Sequence, residues 1–168
     1  MTGPRLARLD TPRLILDPLS VEVARALVDG EPAPFPTAPG WPHDDTLVAL
    51  RMTVQAGWPS WLVRLRAPGG GDGPDPGPVI GECGLKGWPD ASGTVEIGYG
   101  LAGPQRGRGY GTELVAAVVG WLPQIGTRQV LAEVAVGNVP SRRLVERIGF
   151  TVQRVAAGFV YYQRTLGG

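Results

Sequence analysis

Hydrophobic and polar positions in the first third of the chain follow strand-like and helix-like periods. A short apolar run over residues 13–16, flanked by prolines, predicts a first strand. Helical spacing of apolar residues predicts one helix over 20–28 and a second over 44–57, the second opening on an Asp44-Asp45 cap. We expect both helices to bury one face.

The middle of the chain predicts an ordered loop and a β-hairpin. Residues 31–42 carry five prolines, two aromatic residues and no periodicity, so we predict a loop that can shape a pocket. Two apolar runs, 61–65 and 79–85, predict strands. The glycine- and proline-rich residues 69–77 between them predict a hairpin loop without chemistry.

A strand predicted over 94–101 has two very different faces. Apolar side chains fill one face, and the other carries a single carboxylate and two glycines. The first set is Val95, Ile97, Tyr99 and Leu101, and the second is Glu96, Gly98 and Gly100. One face of this strand is therefore almost bare.

The remaining segments predict a crossover unit and a closing hairpin. After a glycine-rich turn, helical spacing predicts a helix over 112–122, and a β-branched run predicts a strand over 128–136. A last helix is predicted over 141–148, followed by the strands 152–155 and 159–165.

Composition limits the classes of function. The 168 residues fit one domain spanning 1–168, and the formal net charge of +1 gives no basis for general binding to nucleic acid or to an anionic membrane. No stretch approaches the roughly 18 consecutive apolar residues of a membrane span. A single Cys83 and an N-terminus without an apolar run favour a cytoplasmic location. We expect a small-molecule or protein partner and no metal.

Residues 105–111, with the sequence Gln-Arg-Gly-Arg-Gly-Tyr-Gly, carry the clearest chemical signal. We call them the glycine loop. They lie between a predicted strand and a predicted helix, where bare backbone N–H groups can bind phosphate. A Walker loop would need Gly-Lys-Ser or Gly-Lys-Thr, and a dinucleotide site an acidic residue after the next strand, and neither is present. An ordinary strand-to-helix turn remains an alternative.

The glycine loop resembles the R/Q-x-x-G-x-G/A segment of the GNAT acetyltransferase superfamily. Three further segments are similar to that superfamily in the same order: Thr-Pro-Arg-Leu-Ile-Leu at 11–16, Val-Glu-Ile-Gly-Tyr at 95–99, and an N-x-x-S helix that ends in Gly-Phe at 138–150. The opening segment resembles the subgroup that acetylates protein N-termini, including those of ribosomal proteins.

The resemblance implies a fold and a co-substrate. The fold would be a single α/β (α+β) domain, a mixed and twisted seven-stranded sheet flanked by about four helices, with splayed central strands at 94–101 and 128–136. Acetyl-CoA would place its pantetheine arm in that gap and its pyrophosphate on the glycine loop. The expected binding residues are Ile97, Tyr99, Leu101, Arg106, Gly107, Gly109, Tyr110, Gly111, Thr112 and Asn138.

Catalytic roles follow from the same placement. Glu96 is the candidate general base because it shares the glycine-lined face, although a salt-bridged carboxylate is the alternative. A backbone N–H near Tyr99 or Gly100 can hydrogen-bond the carbonyl oxygen. The tyrosine that commonly protonates the thiolate in this superfamily is replaced by Val145. Ser141 is the nearest matched hydroxyl, with helix capping as its alternative role.

Four other residues have competing roles. Asn138 can bind the pantetheine arm or cap a helix, and Arg108 can bind phosphate or be solvated. His43 is predicted to be a surface residue rather than a catalyst. Cys83 is predicted to be a buried core thiol rather than a nucleophile.

Three functions remain open at this point. The first is transfer of an acetyl group from acetyl-CoA to a primary amine, of a protein N-terminus or a small molecule, by direct attack in a ternary complex. The second is a non-catalytic acyl-CoA-binding or sensing domain. The third is an acyltransferase with another donor or acceptor, including aminoglycosides and polyamines. A homodimer is possible because relatives often form one.

Overall fold

One mixed β-sheet organises the chain. The computed structural model describes residues 4–67 and 77–167. The described strands have the order β1-β2-β3-β4-β5-β6-β8-β7. They are β1 Leu9–Asp10, β2 Leu14–Pro18, β3 Ser60–Leu65, β4 Val79–Leu85, β5 Thr94–Leu101, β6 Gln129–Ala135, β7 Thr151–Ala156 and β8 Phe159–Thr165.

Four α-helices occur in the described ranges, in agreement with the prediction. They are α1 Val21–Val28, α2 Asp44–Ala56, α3 Tyr110–Trp121 and α4 Val139–Arg147. The sheet has eight strands rather than the predicted seven, because the two-residue β1 pairs with β2. The loop predicted over 69–77 lies outside the described residues except for Gly77. None of the helices in the described ranges is long and apolar enough to cross a membrane.

The sheet opens between its two central strands. β5 and β6 pair in parallel from Thr94↔Gln129 to Ile97↔Ala132, and their described pairing ends there. Beyond that point β5 stays paired with β4 as far as Leu101, and β6 stays paired with β8 as far as Ala135. Each strand follows its other neighbour, so the two diverge into a gap.

Helices cover both faces of the sheet. The larger core joins one face to α3 and α4, with Trp61, Leu114 and Val145 among its fully buried side chains. The smaller core joins the other face to α1 and α2, around Leu27 and Leu50. Apolar side chains on both faces account for the nearly continuous burial of β3 and β4.

The cap of α2 differs from the predicted Asp44-Asp45 cap, whereas the cap of α4 is the alternative role expected for Asn138. His43, rather than Asp44 or Asp45, caps α2: its ring Nδ1 accepts a hydrogen bond from Thr46 N at 3.2 Å, and the Thr46 hydroxyl accepts from His43 N. Histidine is rarely read as a cap, so the pattern pointed to the adjacent aspartates. Asn138 caps α4, since its Oδ1 accepts from Ser141 N.

The end of α4 matches its sequence signature. Gly149 has φ +93°, and its N–H bonds Glu146 O while Phe150 N–H bonds Val145 O. This is the Schellman pattern that glycine favours after a helix. Phe150 folds back into the core and is 3% exposed.

Candidate functional site

A cleft of about 990 Å³ lies where β5 and β6 diverge. Five segments line it: the facing stretches of β4 and β5, the first half of α2, Trp58 with the start of β3, the glycine loop with the start of α3, and α4 with the two residues before it. Both chemically distinctive segments of the sequence, the bare face of β5 and the glycine loop, therefore meet at one cavity.

Strand alternation decides which backbone groups face the gap. Lys86 N bonds Glu96 O and Ala102 N bonds Ile80 O, so the even-numbered residues of β5 turn their polar backbone toward β4. The backbone groups of Tyr99 and Leu101 then face the side that β6 has left. Of the two N–H groups predicted for the carbonyl oxygen, that of Tyr99 faces the gap and that of Gly100 does not.

The glycine loop ends in an open helix N-terminus. Gly107 and Gly109 have φ of +75° and +81°, a left-handed conformation that favours glycine. Gly109 is the N-cap of α3 without a side-chain hydrogen bond. Because the first helical bond runs from Glu113 N to Gly109 O, the preceding N–H groups of Tyr110 and Gly111 point out of the helix end. These groups and the helix dipole favour an anion.

Two other loop residues have structural contacts. Gly111 allows close packing: a Cβ there would lie 2.7 Å from Leu144 Cδ1. Arg106 donates its Nε–H to Leu101 O at 3.2 Å, which ties the loop to the end of β5. Gly111 thus matters for packing of α3 on α4, and Arg106 lines the cleft.

Arg13, which directly precedes β2, contacts the glycine loop and the start of α3. Its guanidinium donates to Glu113 Oε2 at 2.7 Å and to Arg108 O at 2.8 Å, and it lies 4.6 Å from the centre of the Tyr110 ring. Burial opposes ionisation of Glu113, but hydrogen bonds from Thr11 and Arg13 outweigh it and lower the pKa of Glu113. The Thr-Pro-Arg motif therefore supports the loop.

Glu82 of β4 is a cleft residue that sequence reasoning missed. Its residue is 6% exposed, and Oε2 accepts hydrogen bonds from Trp41 Nε1 at 2.7 Å and Thr46 Oγ1 at 3.0 Å. Oε1 lies toward Gly100, where an added Cβ would be 2.7 Å away. Burial raises the pKa of Glu82 to about 7, partly offset by the two hydrogen bonds.

His43 lies beside the same glycine. Its Nε2 is buried without a hydrogen-bond partner among the described residues, and Nε2 would lie 3.3 Å from a Cβ on Gly100. Since Nδ1 accepts from Thr46 N, a neutral ring carries its hydrogen on Nε2. His43 was predicted to be a surface residue, but it lines the cleft next to Glu82.

Glu96 is engaged elsewhere. It forms an ion pair with Lys86, its side chain is 29% exposed, and it is not among the residues that line the cleft. Lys86 is a lining residue, so the pair lies at the margin of the site. The strand pattern alone could not show this contact, because Lys86 lies in the preceding turn.

On the opposite face of β5, Tyr99 meets α4. The hydroxyl oxygens of Tyr99 and Ser141 are 2.5 Å apart, and both residues line the cleft. Burial raises the pKa of Tyr99 to about 12. Val145 is fully buried in the core, and Asn138 both caps α4 and lines the cleft.

The remaining candidate residues either line the cleft or lie next to residues that line it. Gly107, Gly109 and Thr112 line the cleft, while Ile97 and Tyr110 flank it without lining it. Cys83 is 1% exposed, as predicted for a core thiol, and burial raises its pKa to about 12. The signal for Glu82 was present as a lone carboxylate in an apolar strand, but its partner Trp41 is distant in sequence.

Comparison with known proteins agrees with this geometry. Residues 13–151 match a family model described as an acetyltransferase (GNAT) domain. An uncharacterized N-acetyltransferase of Bacillus subtilis, YjdG, is 23% identical over 94% of this chain and 92% of its own.

Two solved structures share the fold. A Vibrio cholerae protein, provisionally assigned as a ribosomal-protein-serine acetyltransferase, has a TM-score of 0.67 and 17% identity over 98% of this chain and 100% of its own. Mycobacterium smegmatis RimJ in complex with CoA-disulfide has a TM-score of 0.60 and 18% identity over 95% of this chain and 86% of its own. At these identities the likeness establishes the fold alone.

Proposed function

Because the chain belongs to the acetyltransferase (GNAT) family, we propose that it transfers an acetyl group from acetyl-CoA to a primary amine, by direct attack in a ternary complex. One observation carries the proposal: a buried carboxylate, Glu82, lines the same cleft as the glycine loop. The acceptor class we favour is the α-amine of a peptide or a small molecule, as in the ribosomal-protein subgroup.

The residues present fit a coenzyme A ester. The outward N–H groups of the glycine loop and the N-terminus of α3 suit a pyrophosphate, with Arg106 at its side. The backbone of Tyr99 and the N–H of Leu101, which β6 does not pair, offer one side of a strand to the amide groups of a pantetheine arm. The thioester supplies the activated acetyl carbonyl, and residues of the chain bind it and accept the proton of the amine.

Glu82 is the general base in this proposal, in preference to Glu96. A base works best when its pKa lies near the working pH, and burial raises the pKa of Glu82 to about 7. Glu82 Oε1 takes the proton of the attacking amine, directly or through a water. The Tyr99 N–H, which faces the gap, donates to the oxygen of the tetrahedral intermediate.

The basicity of the acceptor supports an α-amine. At pH 7 roughly a tenth of an α-amine with pKa about 7.7–8.0 is neutral, whereas less than about one in a thousand lysine side chains with pKa about 10.4 is neutral. A carboxylate with a pKa near 7 can complete deprotonation of the first but is a weak base for the second. We therefore expect higher kcat/KM for peptide N-termini than for lysine-type amines.

Two measurements test the function. Acetyl-CoA at about 100 times its Kd should stabilise the protein by about 2.7 kcal/mol, a rise in Tm of roughly 5–10 °C at this size. Release of CoA should then be followed over many turnovers with a free N-terminal peptide, its N-formylated form, a lysine-type amine, a polyamine and an aminoglycoside.

Each result has a separate meaning. Turnover with the free peptide and none with its formylated form supports the proposal. Binding of acetyl-CoA without turnover of any amine would indicate the non-catalytic acyl-CoA-binding domain instead. No binding by either Tm or calorimetry would refute both.

A further inference from the structure

Of the 16 lysine and arginine residues in the chain, Lys86 alone is a lysine, and it lines the cleft. Its side chain is 37% exposed, and Nζ donates a hydrogen bond to Glu96 in an ion pair. Apart from the α-amine of Met1, Nζ of Lys86 is the only primary amine in the sequence. The one amine side chain of the protein therefore lies in the cleft in which the proposed function acetylates amines.

Three successive cross-strand pairs place this lysine on the same face of the sheet as the proposed base. Two pairs belong to the ladder of β4 and β5, and the third continues it just past the end of β4, where Lys86 N bonds Glu96 O. In order along the strands, the pairs are Glu82 with Gly100, Gly84 with Gly98, and Lys86 with Glu96. The base and the lysine thus stand at the two ends of one row.

The middle of this row is bare. Gly84 and Gly98 have no side chains, and a Cβ on Gly98 would meet nothing within 4 Å. Positions two residues apart on a strand are separated by roughly 6.6 Å, a distance that the flexible four-carbon stem of a lysine can span. Nζ of Lys86 can therefore leave Glu96 and lie over Gly98, in the open space beside Glu82.

The ion pair with Glu96 does not lock the lysine in place. Both side chains are partly exposed, at 37% for Lys86 and 29% for Glu96. Exposed ion pairs contribute little net stability, because water screens the charges and two flexible side chains lose freedom. Among the described residues, Glu96 is the one hydrogen-bond partner of Nζ. Exchange of the amine between Glu96 and the bare middle of the row should therefore be easy.

Resting on the proposed acetyl transfer, we propose that Lys86 is a site of self-acetylation. The ammonium first gives one proton to solvent, and Nζ then attacks the carbonyl carbon of acetyl-CoA, so that a C–N bond forms and a second proton passes to Glu82. The C–S bond breaks and its electron pair goes to sulfur. The thiolate takes a proton from water, and Glu82 returns its proton to solvent. The product is a neutral amide, so Glu96 loses its cationic partner.

Tethering explains why this lysine reacts although free lysine-type amines are expected to be poor acceptors. Less than about one in a thousand lysine amines is neutral at pH 7. An amine carried by the chain needs no binding step, and a group on a short flexible tether has an effective concentration in the millimolar range or above. Self-acetylation should therefore be slow and stop after one acetyl group per chain, whereas a peptide acceptor turns over many times.

The test follows modification of wild type by acetyl-CoA without an added acceptor. Intact mass counts the acetyl groups, and trypsin locates them, because it cleaves after lysine and arginine but not after acetyl-lysine. Acetylation should preserve a fragment spanning residues 67–106, which is otherwise cut after Lys86. We expect one acetyl group in this fragment, gained at a first-order rate that does not depend on protein concentration.

Two variants and one unfolded sample serve as controls. Lys86→Arg keeps a cation for Glu96 but has no nucleophilic amine, so this position should gain no acetyl group. Glu82→Gln keeps the lysine but lacks the proposed base, and it should be modified about 10²–10⁴-fold more slowly than wild type. Wild type unfolded in urea gives the uncatalysed rate of lysine acetylation.

The outcomes separate this inference from the proposed function. If Lys86 stays unmodified while a peptide acceptor releases CoA, the inference is wrong and acetyl transfer stands. The inference is equally wrong if Lys86 reacts no faster in the folded protein than in urea, or as fast in Glu82→Gln as in wild type. If acetyl-CoA does not bind wild type, the proposed function fails and the inference fails with it.

Discussion

Replacing Glu82 by Gln removes a buried charge while keeping its shape and its hydrogen-bond acceptor. The carboxylate is 6% exposed and uses Oε2 to accept from Trp41 and Thr46. The amide oxygen of a glutamine can accept both bonds in the same position. The variant therefore tests the charge of Glu82 apart from its packing.

Stability should respond to pH in a direction that follows from the raised pKa. The pKa rises from 4.5 to about 7 in the folded state. The uncharged form is favoured on folding, so this stabilisation is present below pH 4.5 and is lost as pH rises through about 7. The difference of about 2.5 pKa units corresponds to about 3 kcal/mol at pH 8. Glu82→Gln should avoid that loss and be more stable than wild type at pH 8, and nearly equal to it at pH 5.

Glu82→Gln should lower activity although it raises stability at pH 8. Loss of a general base typically lowers the rate by 10²–10⁴-fold. We expect kcat to fall by about this factor in Glu82→Gln. We also expect kcat/KM of the wild type to rise through about pH 7 and this rise to be absent in the variant. Urea unfolding at pH 5 and pH 8, with CoA release under the same buffers, measures both effects.

Two comparison variants sharpen the result. Glu96→Gln tests the other carboxylate proposed from the sequence, and Glu133→Gln removes an exposed carboxylate from β6. Glu82→Gln with unchanged kcat would refute the base assignment, and a large loss in Glu96→Gln would return the role to Glu96. A Glu82→Gln protein less stable than wild type at pH 8 would refute the argument from burial.

Four further results are expected. Gly98→Val adds a side chain where nothing lies within 4 Å and φ is not left-handed, so turnover should be lost with little change in Tm. Gly109→Val forces a β-branched residue to φ +81°, which should cost about 1–2 kcal/mol and weaken acetyl-CoA binding by calorimetry. Arg13→Ala removes the hydrogen bonds from Arg13 to Glu113 and to the backbone carbonyl of Arg108, so it should raise the Kd for acetyl-CoA while leaving kcat largely unchanged. Cys83 should resist alkylation in the folded protein and react only on unfolding, because burial raises its pKa to about 12.

Local signals in the sequence were enough for most of the fold. Alternation over 94–101 and helical spacing elsewhere predicted the elements to within a few residues, because periodic burial determines secondary structure. Gly149 marked the end of α4 because only a residue tolerant of positive φ suits that position. The strand β1 was not predicted, because two residues are too few to show an alternating pattern.

The site was harder to predict because its geometry depends on distant partners. The glycine loop carries its own signal in the sequence, and Gly107, Gly109 and Gly111 line the cleft. Burial raises the pKa of Glu82, and its hydrogen-bond partners Trp41 and Thr46 lie about forty residues away in sequence, so no local pattern encodes this environment. Glu96 was favoured because it shares a face with Gly98, but Lys86 occupies its carboxylate.

The alternation of a β-strand separates the open space beside the proposed base from the contact between Tyr99 and Ser141. Gly98 and Gly100 keep one face of β5 free of side chains, which leaves room for an acceptor beside Glu82. Tyr99, between them, necessarily extends to the other face, where α4 brings Ser141 within 2.5 Å. In the proposed function the carboxylate acts on the incoming amine from one side of β5, while the contact between Tyr99 and Ser141 joins the other side of the strand to α4. Exchanging Gly98 and Tyr99 should therefore abolish turnover, measured as release of CoA, because it fills the acceptor face of β5 and removes the contact with α4 at once.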